Sequence, residues 1–312
     1  MDGIFNINKP TGITSHDVVA KIRKLLKQKR VGHAGTLDPA ASGVLPICVG
    51  QATRVAEYLS ESGKAYQAEI IFGVVTDTYD SEGAILRTAD VADLTLSRIE
   101  EALPHFLGPQ MQLPPRYSAI KIQGQPAYKL ARAGEKITLE PRPVVISRLE
   151  VIDWLPPRLT LAIECSKGTY IRSLAYDLGE YLGCGAHSGA LVRTRSGPFS
   201  LSESVTLEQL AEAVALGTVE KYLYPPDKAL EQYPALRLDA AASERVLHGN
   251  AFKYDGLDEL SGGVKPSIAR VYDSSGRFLA IAEWSAEQDV WKPKKVLTPP
   301  SNPGSTPSGS RN

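Results

Sequence analysis

The sequence has little of what marks a disulfide scaffold, a metal centre or a membrane protein. It holds three cysteines in 312 residues, Cys48, Cys165 and Cys184. They are odd in number and far apart, so neither a disulfide framework nor a zinc site is supported. A reducing cytoplasm is the setting this suggests. No apolar run approaches the ~20 residues of a membrane-spanning helix. The opening stretch from Met1 to Pro10 lacks the basic start and apolar centre of a signal peptide. Net charge is absent too, since 35 Lys and Arg balance 35 Asp and Glu. A nucleic-acid binder usually shows a basic excess, so any basic surface here must be local. The Gly-rich segments match neither the P-loop nor the dinucleotide pattern. The sequence thus offers no metal cluster and no cofactor motif.

What remains is ordinary for a soluble globular chain, at 43% hydrophobic and 22% charged residues. The length suggests about two domains. One stretch stands apart, Arg30 to Leu45, which gathers His33, Asp38 and three glycines in a segment too Gly-rich for regular structure. Pro39 disfavours helical backbone at Asp38, and Gly32, Gly35 and Gly43 let the chain approach a neighbour closely. From these residues alone, two readings stand: an Asp-Pro turn, or a loop that holds one acid still at the lip of a sheet.

Ile4–Ile7 reads as a short strand. Thr14 and Asp17 form a capping-box pair ahead of Val18, Val19, Ile22, Leu25 and Leu26 at helical spacing. The outer face of that helix runs into Lys21, Arg23, Lys24, Lys27, Lys29 and Arg30, either a solvated face or a holder of phosphate. Residues 44–49 read as a buried strand and 53–59 as a short helix. Lys64 to Gly73 alternates at period two, with Tyr66, Ala68, Ile70 and Phe72 on one face. Thr76–Gly83 is an acidic turn that fails the EF-hand pattern and reads as a hairpin loop. Leu96, Ile99, Leu103 and Phe106 mark an amphipathic helix ending near Gly108.

Leu113 to Gly134 interleaves Tyr117, Lys121, Tyr128, Lys129 and Arg132 among prolines and glycines. That mixture suits stacking of unpaired bases beside neutralised phosphates, and equally a plain surface insertion with a short helix started at Pro126. Residues 144–154 and 159–165 are further strands. Ile171, Leu174, Ala175 and Leu178 define a helix face, with Tyr170 and Arg172 in its first turn. Arg172 opposes the helix dipole there, so a carboxylate partner is expected. In Gly189–Phe199, Leu191 reads as a core residue, while Arg193 and Arg195 alternate outward, near phosphate. Leu207, Leu210, Ala211 and Val214 give one more helix. Tyr224-Pro225-Pro226 and Tyr233-Pro234 read as a linker, 236–297 as a compact all-β stretch, and the Pro-, Ser- and Gly-rich end from Thr298 as disordered.

Three motifs carry a resemblance. His33-Ala34-Gly35-Thr36-Leu37-Asp38-Pro39 with Ala41-Ser42-Gly43-Val44-Leu45, then Lys167-Gly168-Thr169-Tyr170-Ile171-Arg172-Ser173-Leu174, then Gly189-Ala190-Leu191-Val192-Arg193-Thr194-Arg195-Ser196-Gly197-Pro198-Phe199 occur in order. Together they resemble the TruB family, the bacterial tRNA pseudouridine-55 synthases. The resemblance implies an α+β fold: a pseudouridine-synthase catalytic domain over residues 1–232, with a central mixed, mostly antiparallel sheet and an RNA-clasping insertion at about 110–140. A small PUA-like β domain over 233–297 and a tail over 298–312 would follow. It also implies the roles. Asp38, Tyr66 and Arg172 are the catalytic residues, with Arg172 as partner of Asp38. His33, Tyr66, Tyr170, Leu191, Lys64, Gly35 and Thr36 bind substrate. His33 is either the wedge that fills a vacated base stack or a neutral loop residue.

The implied reaction isomerises uridine at position 55 in the T-loop of tRNA, and because composition does not change, no cofactor, metal or energy source is expected. The partner is the T-arm stem-loop, bound by a monomer without guide RNA, metal or membrane. A carboxylate suits that chemistry, because it can attack C1′ or C6, or take a sugar proton, and leave again; the residues leave the route open. Asp38 is expected to be ionised in an apolar pocket, where burial would raise its pKa and the planar fork of Arg172 would oppose that by gripping it. Rival readings are a tRNA-binding folding chaperone without catalysis, a guide-RNA-dependent relative, and a glycoside hydrolase. The last usually needs two flanking acids, and the signature loop offers one.

Overall fold

The computed structural model describes residues 1–118, 120–122, 124–135, 137–254 and 266–297. The tail from Thr298, expected to be disordered, lies outside the described residues. So do Ala119 and Gln123 of the insertion and the side chain of Arg132.

The chain opens with β1 (Gly3–Lys9) and α1 (Ser15–Leu26). Thr14 caps α1, accepting from the Asp17 amide while the Asp17 carboxylate accepts from the Thr14 amide. That reciprocal pair satisfies two donors that the first helical turn leaves open. Strands β2 (Val31–His33) and β3 (Ser42–Val49) flank the Asp38 loop. A 3₁₀ turn over Gly50–Arg54 and α2 (Ala56–Glu61) lead to β4 (Lys64–Phe72). The acidic turn joins β5 (Val74–Thr76) to β6 (Ile85–Thr88), an antiparallel hairpin as expected.

Next come α3 (Leu96–Ala102), β7 (Gly108–Gln112), a small hairpin of β8 (Lys121–Ile122) and β9 (Gln125–Pro126), and α4 (Ala127–Arg132). Long strands β10 (Arg142–Leu155) and β11 (Arg158–Cys165) precede α5 (Ile171–Tyr181) and β12 (Ala186–Ser196). Then follow β13 (Phe199–Ser200), α6 (Leu207–Ala215) and β14 (Leu223–Tyr224).

Strands β14-β1-β3-β12-β4-β11-β10-β7 form the central sheet in that order, with β2 also pairing with β3 and β13 with β12. Every neighbouring pair is antiparallel except β3 and β12, which run parallel. The sheet is thus mixed and mostly antiparallel, as the resemblance implied. Two apolar clusters meet at its centre. One packs β4, β11 and α5, the other β1, β3, α1 and α6, and Tyr66 and Leu191 pack against both. Each side of the site is therefore built on a separate core.

Two sequence expectations fail. The segment read as a linker is packed: Tyr224 pairs with Ile4 of β1, and Ala229 and Leu230 are fully buried. Its prolines shape a docked 3₁₀ turn over Pro226–Leu230 rather than a free connection. The stretch read as all-β also contains a helix. Sheet β15 (Ala235–Arg237), β16 (Ile268–Tyr272), β17 (Phe278–Ser285) and β18 (Val290–Val296) is joined by α7 (Ala240–Leu247), capped by Asp239. The alanine-rich run 240–242 carries too weak an apolar period to announce that helix from sequence. This small C-terminal β domain leans on the main body, because Ile281 of β17 is buried in the cluster of α2 and β3.

Candidate active site

The Asp38 loop is gripped by its carbonyls. Ser15 Oγ of α1 donates to the Leu37 carbonyl and accepts from the Leu37 amide, both at 2.9 Å. Lys9, fully buried, sends its ammonium to the carbonyls of Pro10 and Ile13 at 2.8 Å and of Pro39 at 3.3 Å. Burial pulls the pKa of Lys9 down to about 8. Arg193 completes the clamp. Its guanidinium reaches the carbonyls of Gly35 at 3.0 Å, Thr36 at 3.2 Å and Val44 at 2.7 Å. Only 1% of Arg193 is exposed. The expectation that Arg193 points outward to phosphate is therefore wrong. The parallel pairing of β12 with β3 sets Arg193 beside Gly43 and directs its side chain under the loop.

Asp38 itself sits at the rim, its side chain 43% exposed, and not within an apolar pocket as expected. Its Oδ2 lies 3.0 Å from Nε of Arg172. The planar fork is not used on Asp38. Nη1 of Arg172 instead meets the Thr78 carbonyl at 3.1 Å and Asp80 Oδ2 at 3.2 Å, and Nη2 donates to the Tyr117 carbonyl at 3.0 Å. Arg172 is 7% exposed. A buried cation in a first helical turn thus holds two carboxylates and two carbonyls, which offsets both desolvation and the helix dipole.

The start of α5 is fixed by Gln112 of β7, which accepts from the Tyr170 amide at 2.8 Å and donates to the Tyr170 carbonyl at 3.0 Å. Ser173 Oγ donates to the Leu113 carbonyl at 2.8 Å. The insertion is therefore anchored to α5 where it begins.

Behind the ion pair lies a pocket walled by the Gly35–Asp38 loop, Lys64, Tyr66, Tyr170, Leu191 and Arg193. It brings together every residue anticipated for the site except His33. Tyr66 projects from β4 opposite Ile163 and Arg193. Burial raises the pKa of its phenol, and Arg193 opposes that shift. Burial likewise raises Tyr170. Lys64 is occupied: its ammonium binds the Ser60 carbonyl at 2.6 Å and the Ser62 carbonyl, ending α2, and burial lowers its pKa to about 8. His33 stands apart, its ring edge-on to His16 with centroids 5.5 Å apart. Burial, then His16 and Arg193, depress its pKa to about 4, so it is neutral at pH 7. Its Nδ1 is buried without a hydrogen-bond partner.

Sequence reasoning missed Asp80, Thr78, Gln112, Ser15 and Lys9. The one usable signal was the misplaced cation at Arg172, which called for carboxylate partners without saying how many. Among the described residues no cluster of three or more His, Cys, Asp or Glu is placed to hold a metal ion. No described helix is long and apolar enough to cross a membrane.

Comparison with known proteins decides the family. Residues 23–171 match the family model for the TruB family pseudouridylate synthase N-terminal domain, and residues 172–231 that for the tRNA pseudouridylate synthase B C-terminal domain. A tRNA pseudouridine synthase B from Symbiobacterium thermophilum is 50% identical over 254 residues, covering 80% of this chain and 83% of its own. Its counterpart from Pseudomonas putida is 44% identical over 302 residues, covering 95% and 96%. The chain belongs to the TruB family.

As a TruB-family enzyme it is an isomerase that converts uridine to pseudouridine. Solved structures agree in fold. A Cbf5-Nop10-Gar1 complex is 28% identical, with a TM-score of 0.74 over 95% of this chain and 85% of that one. An H/ACA RNP bound to a substrate RNA containing 2′-deoxyuridine is 26% identical, with a TM-score of 0.72 and the same coverage. For a TruB-family member the second motif takes on a structural meaning. Thr169-Tyr170-Ile171-Arg172 is the strand-to-helix junction that faces the Asp38 loop across the pocket.

Proposed function

We propose that this TruB-family chain is a tRNA pseudouridine-55 synthase that uses Asp38 as nucleophile and needs no guide RNA. The observation that carries the reading is the contact of 3.0 Å between Arg172 and the exposed Asp38, in the wall of a pocket that Tyr66 and Leu191 also line. An exposed, oriented carboxylate sharing a pocket with an aromatic ring and a leucine suits a base that enters from solvent and packs on them.

The reaction breaks the C1′–N1 bond, turns the uracil, bonds C5 to C1′, releases the C5 proton and leaves N1 carrying a proton in its place. Atoms are neither gained nor lost, so no oxidant or energy source enters. Asp38 bonds to C1′ or C6 and leaves again, or takes and returns a sugar proton. Arg172 Nε keeps one Asp38 oxygen fixed, leaving the other to react. Tyr66 stacks on the uracil, and Leu191 packs on it.

A uridine in a folded T-loop must be everted first, at a cost of a few kcal/mol that stacking in the pocket offsets. His33, neutral at pH 7, is the candidate wedge for the vacated stack. Lys21, Lys24, Lys27 and Lys29 are exposed along and beyond α1 and supply local positive charge in a chain of zero net charge. The insertion at about 110–140 clasps the T-arm, and the C-terminal sheet serves as a PUA-like module over 233–297. The setting is cytoplasmic and the working unit a monomer.

Pseudouridine mapping on tRNA, and on a bare T-arm hairpin, tests this. Wild-type protein alone should modify the position-55 uridine in both, and Asp38→Asn should modify neither while still binding RNA. Modification at another position, or activity only with added RNA, would overturn the reading.

A further inference from the structure

The acidic turn between β5 and β6 holds a feature that its sequence does not require. Tyr79 stands at its apex with φ of +62°, in the left-handed region that Gly, Asn and Asp adopt far more readily than tyrosine. Its ring lies flat on Tyr176, with centroids 4.1 Å apart and planes within 16°. Tyr176 is on α5, four residues beyond Arg172 and so on the same helix face. The two neighbours of Tyr79 are the groups that hold Nη1 of Arg172: the Thr78 carbonyl on one side, the Asp80 carboxylate on the other. The Tyr79 carbonyl accepts from the Ser188 amide of β12 at 3.0 Å, which fixes the turn's outer edge to the central sheet. Neither Tyr79 nor Tyr176 lines the pocket.

We propose that Tyr79 is a positioning residue for the reaction: its stack on Tyr176 registers the acidic turn along α5, so that Thr78 and Asp80 occupy the fork of Arg172 and leave Nε for Asp38. The bond to Ser188 ties the turn to β12 but does not set where Asp80 meets Arg172, because a guanidinium offers several donors to a carboxylate. A flat ring on a ring one helical turn away removes that freedom. It also explains a bulky aromatic in a left-handed position, since the stack stabilises what the backbone disfavours. Without it, Asp80 loses its register on Nη1, and Arg172, still held at Nη2 by the Tyr117 carbonyl, no longer keeps Nε aligned on Asp38. The effect falls on the chemical step rather than on RNA binding, because the pair lies outside the pocket. The inference rests on the proposed roles of Asp38 and Arg172.

Four variants separate the possibilities under single-turnover conditions with saturating T-arm hairpin. Tyr79→Gly removes the ring yet accepts the left-handed backbone, so it tests the stack and not the strain. It should lower the rate about tenfold or more, with RNA affinity within about twofold of wild type. Tyr79→Phe keeps the ring and should restore the rate. Tyr176→Leu should match Tyr79→Gly, and serves in its place should that variant fail to fold. In an Asp80→Asn background, Tyr79→Gly should bring no further loss, because the ring acts through Asp80. A near wild-type rate for Tyr79→Gly, an equal loss in Tyr79→Phe, or a full additional loss in the Asp80→Asn background would each overturn the inference. Asp38→Asn run alongside distinguishes the two failures. Should it stay active, the nucleophile assignment fails; should it be dead while Tyr79→Gly is unimpaired, the positioning role alone fails.

Discussion

Arg172 shows how much one side chain can be asked to hold. Its three nitrogens meet Asp38, Asp80 and the carbonyls of Thr78 and Tyr117, which lie in different parts of the chain. A lysine would keep the charge but present a single point rather than a planar fork. Arg172→Lys should therefore lower the single-turnover rate about a hundredfold or more, with the fold retained by circular dichroism. His33 gives a second prediction at this scale. Its unfolded pKa is 6.5 and burial lowers the folded value to about 4. The unfolded chain therefore takes up this proton first as the pH falls. The stability linked to His33 is complete above 6.5 and is lost as the pH falls through 4. His33→Gln should flatten the slope of melting temperature against pH across that window. Asp38 and Arg172 were legible in the sequence as loop acid and misplaced cation. Asp80 was not, because a carboxylate in a turn has an adequate local explanation in capping its own backbone.

Among the elements, the decisive contact is the parallel pairing of β3 with β12. It brings Arg193 beside Gly43, whose φ is +105°. A Cβ on Gly43 would lie 2.3 Å from the Arg193 carbonyl oxygen, a backbone atom that cannot swing away. Gly43→Ala should thus cost roughly 3 kcal/mol or more, read as a lowered urea midpoint, and should reduce activity as well by shifting the Asp38 loop. The sequence marked Gly43 as a place of close approach but gave no partner. The other elements divide by the strength of their local signal. The Thr14–Asp17 capping box and the alternation from Lys64 to Phe72 stand in the structure much as they read in the sequence. Arg193 was misread because strand alternation assigns a face but not which face the tertiary contacts cover. The same weakness hid α7, where alanines give no clear period, and the docked turn at Pro226–Leu230, where proline looks alike in a linker and in a packed corner.

Across the whole molecule, the C-terminal sheet is joined to the rest of the chain by specific contacts. Ile281 is buried among residues of α2 and β3, Arg54 donates to the Val296 carbonyl at 2.6 Å, and Lys295 pairs with Glu57 at 2.6 Å. A charge at Ile281 would be buried without a partner. Ile281→Asp should cost roughly 4 kcal/mol or more and split the melt into two transitions, as the small sheet loses its hold. One cooperative transition at the wild-type temperature would show that Ile281 does not couple the two parts. Neutral net charge and the lack of long apolar runs gave the molecule's class but nothing of this junction.

By itself the sequence determined the local features: the capped first helix, the central strand bearing Tyr66, the acid in a glycine-rich loop, and an arginine whose position demanded a carboxylate. These follow from backbone preferences and side-chain period, which act over a few residues. Tertiary structure alone decided that Arg172 serves Asp38 and Asp80 together, that Arg193 lies beneath the loop, and that the proline-rich stretch docks. Those outcomes depend on desolvation and on hydrogen bonds between residues far apart in the chain, which exist only once the sheet has brought them together.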